Sequence, residues 1–466
     1  MRSGRSSDHK YVNDLTLRNR CVQYCPADSE AVGGRDRFER RSKRALPLSA
    51  PKRIVQALTG TALAAASLAS DYGGMALRML AWVMLSIAAC GPAIAEPFVP
   101  ASDDEVLERL AVSPSDPTLR QLRALQGQLR QAPDNLVLAT RVATGYLELG
   151  RVTGDPRYAG YSEAALTPWW HLDNPPSEVL VLRATLRQRM HQFDAALADL
   201  ATVLNSNPRN VQARLTRATV LQVQGAYGAV REECRALKNL TSELVWTACL
   251  TGVTASTGRL DDGYRQLRAA FDRHPPGQIG LQSWVLTSLA EMAARAGMIS
   301  EAESHFRAAL AVEAADPYLL GAYADFLLDN DRSLEVLPLL REKTGTDPLL
   351  LRYALALQAQ HSKELAAQVE KLRDRFAASR LRGDRVHLRE EARFTLHLLA
   401  APAAALELAQ ENWQVQKEPA DVRILLESAL AAHNAESIDA VRDWLKASRL
   451  EDVQLTRLLP EAMHPT

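Results

Sequence analysis

Four things are missing or scarce in this 466-residue chain, and each absence removes a class of function. There is no surplus of charge, with 55 Lys and Arg against 55 Asp and Glu. The balance is uneven, however: thirteen basic residues face six acidic ones through Arg53, and with Asp71 and Arg78 the first 95 residues carry +7, leaving −7 from Glu96 onward. A mildly acidic body lacks the basic stripe that displaces counterions from a phosphate backbone, which excludes nucleic acid as the main partner. No phosphate-binding loop, dinucleotide-binding glycine run, G-x-S-x-G elbow or zinc-protease motif occurs, so the common catalytic frameworks are absent. No apolar run reaches the roughly 20 residues that span a bilayer. Cysteine is rare; Cys21 and Cys25 have the spacing of a metal loop, but no second pair completes a tetrahedral site.

What is present near the start reads as targeting. Met75 and Arg78 precede "LAWVMLSIAAC", and Gly91-Pro92-Ala93-Ile94-Ala95 follows it. A short basic start, an apolar core, a helix breaker and a small-x-small site describe a secretory signal over 75–95, cleaved after Ala95. Such signals lie at an N-terminus, so residues 1–74 read as a disordered leader or an upstream start wrongly included. Ile87-Ala88-Ala89-Cys90 also resembles a bacterial lipobox, in which Cys90 is lipidated and becomes the first mature residue. The two cuts give two locations: free in the periplasm, or a membrane-anchored lipoprotein whose only membrane contact is the lipid on Cys90.

At this length the chain forms either several domains or an elongated array. Arg183-Ala184-Thr185-Leu186-Arg187-Gln188 and Arg217-Ala218-Thr219-Val220-Leu221-Gln222 stand one repeat apart, and Phe193 and Tyr227 keep the same offset of 34. Turn positions within the repeats fall at Gly150, His191, Gly225, Gly258, Gly297 and Asp331. The stretches "HQFDAALADLATVLNSNP" and "GMISEAESHFRAAL" resemble the second-helix pattern of the tetratricopeptide repeat family. The resemblance covers 134–343, after a linker and first helix over 96–133; the segment "RVTGDPRYAGY" reads as an insertion in the first repeat. Looser helical pairs and a cap follow over 344–466. The expected fold is all-α, a solenoid of stacked antiparallel helix pairs. As a whole the chain also resembles exported tetratricopeptide proteins of proteobacteria, through "GDPRYAGYSEAALTPWW" and "GDRVHLREEARF".

Once the first 95 residues are removed, Cys234 and Cys249 remain, in the second helix of one repeat and the first helix of the next. A disulfide between these neighbouring helices competes with two buried free thiols.

The family resemblance implies a concave groove lined by first helices, which takes a protein or peptide. Its groove positions, carried over one by one, are Glu178, Thr185, Gln188, Gln212, Thr219, Gln222, Trp284, Glu291, Tyr318 and Asp325. Members that grip a terminal carboxylate use Lys, Asn and Arg, where this chain has Val181, Thr185, Leu215 and Thr219. Gln and Thr suit a peptide backbone, and Trp284 and Tyr318 either hold an apolar side chain or pack between layers. Trp169-Trp170 reads as a packed cover. The expectation is a non-enzymatic exported scaffold of the bacterial cell envelope, with no catalytic residue, cofactor or metal. The alternative makes the array an accessory to a small hydrolase- or transferase-like module around His387 and Glu390.

Overall fold

A computed structural model describes residues 116–459, and among these every regular element is a helix. The leader, the signal over 75–95 with Cys90 and Ala95, and Cys21 and Cys25 lie outside the described residues. The starts of several helices are written in short cap sequences. Asp116 and Asp316 each precede a proline and accept the amide of the residue three further on, at 3.0 and 2.9 Å. Proline fits the first helical position because its missing N–H has no intrahelical partner there. Glu418 and Asp421 around Pro419 make a reciprocal capping box.

After α1 (Pro117–Gln131) the helices come in pairs: α2 (Leu136–Thr153) with α3 (Arg157–Ala165), then, past the short α4 (Thr167–Trp170), α5 (Ser177–Arg189) with α6 (Phe193–Ser206), α7 (Val211–Val223) with α8 (Tyr227–Ala236), and α9 (Glu243–Ala255) with α10 (Leu260–Arg273). The series continues through α11 (Ile279–Arg295) and α12 (Ile299–Val312), α13 (Pro317–Asp329) and α14 (Ser333–Leu340), and α15 (Asp347–Ala359) and α16 (Leu365–Leu381). It ends with α17 (Leu388–His397) and α18 (Pro402–Val415), α19 (Pro419–Ala431) and α20 (Ala435–Ser448), and a terminal α21 (Val453–Leu458). The fold is the α-solenoid that the 34-residue recurrence implies.

The recurring arginine has a structural reason. Arg183 on α5 makes a two-point ion pair with Asp199 on α6 at 2.7 and 3.0 Å, and Arg187 joins it at 2.6 Å. One repeat later Arg214 and Arg217 on α7 hold Glu233 on α8 at 2.7 and 3.4 Å. A planar fork matched to a carboxylate fixes the two helices of a hairpin in register. Arg183 also lies over the ring of Trp170, 5.9 Å from its centroid, and Trp169 and Trp170 belong to the N-terminal core rather than to a cage.

The turn inside each pair is left-handed. His191, Gly225, Gly258, Gly297, Asp331, His361, Ala400 and His433 all have positive φ. One position departs from the sequence reading: Gly150 is helical and buried, and the turn sits at Gly154, with φ 67°. Arg151, Val152 and Thr153 extend α2 by a turn, and "RYAGY" opens α3, so "RVTGDPRYAGY" is the hairpin itself and not an insertion. Gly150 misleads because two glycines lie four positions apart; it is kept small by Tyr158 Cβ, 3.1 Å from where a Cβ would stand.

The superhelix winds far enough to meet itself. The amide of Lys417 donates to the carbonyl of Val223 at 2.7 Å, and the amide of Leu260 to the Glu451 carboxylate at 2.6 Å, 191 positions away. Arg151 pairs with Glu313 at 3.2 Å and with Asp316. The C-terminal pairs therefore sit against the turns of the N-terminal ones.

Candidate functional site

Winding onto itself turns the concave groove into a cavity of about 810 Å³, within the range of pockets that enclose a small ligand or a short chain segment. First helices supply most of its wall, from α7 to α19, with α21 and the turns of α2 and α5 adding to it. Part of the lining is apolar, including Leu215, Trp284, Met292 and Phe306. Polar residues such as Thr219, Gln222, Ser288 and Asn330 join them, and the charged part is nine Lys or Arg and seven Asp or Glu. The cavity thus leans cationic inside a body that is net acidic.

An ion-pair ladder runs along one wall. Asp325 on α13 accepts from Arg352 on α15 at 2.5 Å and from Arg393 on α17 at 2.6 Å. Burial opposes its charge, but the two guanidiniums win and hold its carboxyl well below the usual range. Arg423 on α19 reaches Asp329 at 2.8 Å and Glu427 at 2.7 Å, and His397 lies 3.0 Å from Glu427. Burial works against the Glu427 charge too, yet hydrogen bonds from His397 and Arg423 bring it down to about 2. Four successive first helices are thereby joined through their side chains across the cavity face.

Of the ten groove positions expected from the sequence, six line this cavity: Thr219, Gln222, Trp284, Glu291, Tyr318 and Asp325. Tyr318 donates to Glu291 at 2.5 Å, placing the two on one patch of wall. The other four lie away from the cavity. Thr185 is buried and its hydroxyl donates to Val181 O in its own helix at 2.9 Å. Gln188 and Gln212 are buried, and Glu178 is exposed in the first turn of α5. Arg352, Arg389, Arg393 and Arg423 also line the cavity, outside those ten positions; Arg389 and Arg393 read, from the sequence, as an ion-paired helix surface. A signal exists for two: Pro348 and Pro419 each open a first helix, and the residue four positions on is Arg352 or Arg423.

His387 stands at the N-terminal end of α17 and lines the cavity, but Glu390 is buried against Arg389 at 3.3 Å, and Arg389 also faces Glu418 and Asp421 at 3.4 Å. Among the described residues no group of three His, Cys, Asp or Glu is placed to hold a metal. A hydrolase- or transferase-like module around His387 and Glu390 has no support in this geometry: the carboxylate is committed to an ion pair. Cys234 and Cys249 are joined by a disulfide between α8 and α9, with Cα atoms 5.5 Å apart, and Cys249 forms part of the cavity wall.

The array is tetratricopeptide-like. Its period, its paired helices and its left-handed turns carry that description. No family model and no curated protein matches the chain. Among solved structures it is similar to yeast Tom70, with TM-score 0.27 and 12% identity over 73% of this chain and 89% of that one. It is also similar to the P58(IPK) TPR domain, with TM-score 0.21 and 14% identity over 74% of this chain and 92% of that one. Likeness of that degree carries nothing about partner or activity.

Proposed function

We propose that this tetratricopeptide-like array is a non-enzymatic, exported scaffold that holds a segment of a partner protein or peptide in its concave cavity within the bacterial cell envelope. The observation that supports it most is the lining. Trp284 and Tyr318 offer apolar surface beside a ladder of paired charges, which is the mixture that seats a chain segment. Aromatic anchors in a desolvated pocket carry a disproportionate share of binding energy. Export rests on the 75–95 signal and is consistent with a disulfide, which persists in oxidising compartments.

Affinity capture from envelope extract with the tagged full chain tests the groove. A partner should be retained by a Tyr161→Ala control on exposed surface outside the cavity and lost from the Trp284→Ala, Tyr318→Ala variant. Equal recovery by both removes the groove from the proposal. N-terminal mass determination tests export: a chain beginning after Ala95 or at a lipidated Cys90 supports it, and an unprocessed chain overturns it.

A further inference from the structure

We propose that the cavity is gated by the chain itself: the C-terminal turn of the superhelix is a latch seated on the hairpin turns of the N-terminal repeats, and a bound segment enters when that seat parts. This rests on the reading of the cavity as a binding site, and adds how access to it is controlled.

The seat is regular. Four left-handed glycines, Gly154, Gly225, Gly258 and Gly297, lie at hairpin turns, and each faces a residue of the following turn of the superhelix. A Cβ at Gly154 would stand inside contact distance of Thr346 Cγ2; one at Gly225 would lie 3.3 Å from Lys417, one at Gly258 2.7 Å from Arg449 Cβ, and one at Gly297 3.8 Å from Val453. The first three pairs keep nearly the 191-residue offset of the Leu260–Glu451 hydrogen bond, so one turn of the superhelix recurs at a fixed chain distance. Gly383 provides the contrast: its φ is 71°, yet nothing lies within 4 Å of its would-be Cβ. Left-handed geometry alone accounts for that glycine, whereas at Gly154 and Gly258 a side chain would also collide with the next turn.

The seat is thin as well as regular. The apolar cores run along the solenoid, and across the seat the apolar contribution is Val415 against the α5–α7 core and the Tyr227–Trp444 ring pair. Glycine edges, two backbone amide hydrogen bonds, the contact of the Gln416 amide with His191 at 3.4 Å and the Arg151 ion pairs add to it. A contact surface carried largely by hydrogen bonds, ion pairs and glycine edges opens at a lower cost than unfolding the packed helices. Gly154, Gly297, Thr346, Lys417 and Val453 themselves line the cavity, so parting the seat breaches its wall.

The test measures access without any ligand. In the full chain with Cys21, Cys25 and Cys90 changed to Ser, Ser288→Cys places a thiol in the cavity wall. A maleimide on a polyethylene glycol of ~5,000 Da, bulky against a cavity sized for small ligands, reaches it faster when the latch lifts. Gly154→Ala and Gly258→Ala should speed labelling by about tenfold or more. Gly383→Ala, which carries the same backbone strain without the collision, should leave the rate unchanged. Thr346→Gly should return the Gly154→Ala chain to the parent rate, since glycine serves at that helix N-cap about as well as threonine. Equal rates for the parent and both collision variants, all helical by circular dichroism, overturn the latch; so does equal acceleration by Gly383→Ala. Partner capture that depends on Trp284 and Tyr318, with labelling indifferent to Gly154→Ala, overturns the latch alone. Gated labelling with capture indifferent to those aromatics overturns the binding reading and leaves the latch standing.

Discussion

Arg393 Nη1 lies 2.6 Å from Asp325 Oδ1, although 68 positions of sequence separate them. Arg352 binds the other oxygen of the same carboxylate, so three consecutive first helices, α13, α15 and α17, meet at one side chain. The carboxylate that the family resemblance placed in the groove is therefore a cross-link of the cavity wall. Its charge is spent on the protein's own arginines before any partner arrives.

Removing that carboxylate strands two guanidiniums. Asp325→Ala should cost about 1–3 kcal/mol of unfolding free energy, between the penalties for breaking a surface pair and a fully buried one, because the carboxylate is about a quarter exposed. Because the folded pKa lies below the unfolded one, Asp325 stabilises the chain above the ordinary carboxylate range and that contribution fades as pH falls below it. Urea midpoints at pH 7 and pH 3 check both points. The parent should lose stability toward pH 3 more steeply than the variant, and a cost under about 1 kcal/mol at pH 7 would mean that water already screens the trio.

The Cys234–Cys249 bond closes a short loop, the two residues being 15 positions apart. In the chain-entropy model a loop of that size restricts the unfolded state by about 3 kcal/mol. Cys234→Ala, Cys249→Ala should lower the melting temperature by several degrees, and reductant should shift the parent toward the variant while leaving the variant unmoved. A parent unaffected by reductant under denaturing conditions, where the bond is exposed, contradicts the expected contribution.

The helix pairs were legible because their signal is local. Arg183 and Arg217 each clasp a carboxylate on the second helix of their own hairpin, and such contacts leave a 34-residue imprint. Gly225, Gly258 and Gly297 were legible because a left-handed turn selects for glycine, while His361, Ala400 and His433 adopt the same conformation without announcing it. The cavity was only half legible. Thr185 is the counterpart of Thr219 one repeat earlier, yet Thr185 is buried while Thr219 lines the cavity, and the small rotations between repeats of a solenoid are not written at either position. Closure of the superhelix, and with it Arg352, Arg389, Arg393 and Arg423 as wall residues, depends on those rotations summed over a full turn. No window of sequence contains that sum.

Glu313 is buried at the end of α12 beside Arg151 and Asp316, with Ser283 also in reach. Burial, reinforced by the Asp316 charge, pushes its pKa up to about 7 against the attraction of Arg151. A carboxyl raised on folding binds its proton more tightly in the native state, so its contribution to stability is greatest below the ordinary glutamate range and declines as pH rises to about 7. Glu313→Gln should remove that decline and stand above the parent by about 1–3 kcal/mol at pH 8 in urea unfolding. A variant that instead loses stability at every pH would show that the Arg151 pair outweighs the cost of the buried charge.

His191 works in the opposite direction. It sits in the left-handed turn after α5, stacked 5.3 Å from the Phe193 ring and 3.4 Å from the Gln416 amide of the next superhelical turn. Burial, with the nearby Arg389 charge, lowers its pKa to about 4. The unfolded chain then takes up the proton first, so stability present above about 6.5 is lost as pH falls toward 4. Over the range where both groups titrate, Glu313 gains what His191 loses, and their contributions to the parent largely cancel. His191→Asn, which keeps a residue tolerant of positive φ, should therefore expose the Glu313 slope, with stability falling as pH rises from 5 to 7. Glu313→Gln should expose the His191 slope, rising over the same interval. Chemical denaturation at half-unit pH steps distinguishes this from independent noise: two single variants tilted in opposite directions, and a double variant as level as the parent, are required together, because the two groups lie on different contacts and their effects should add.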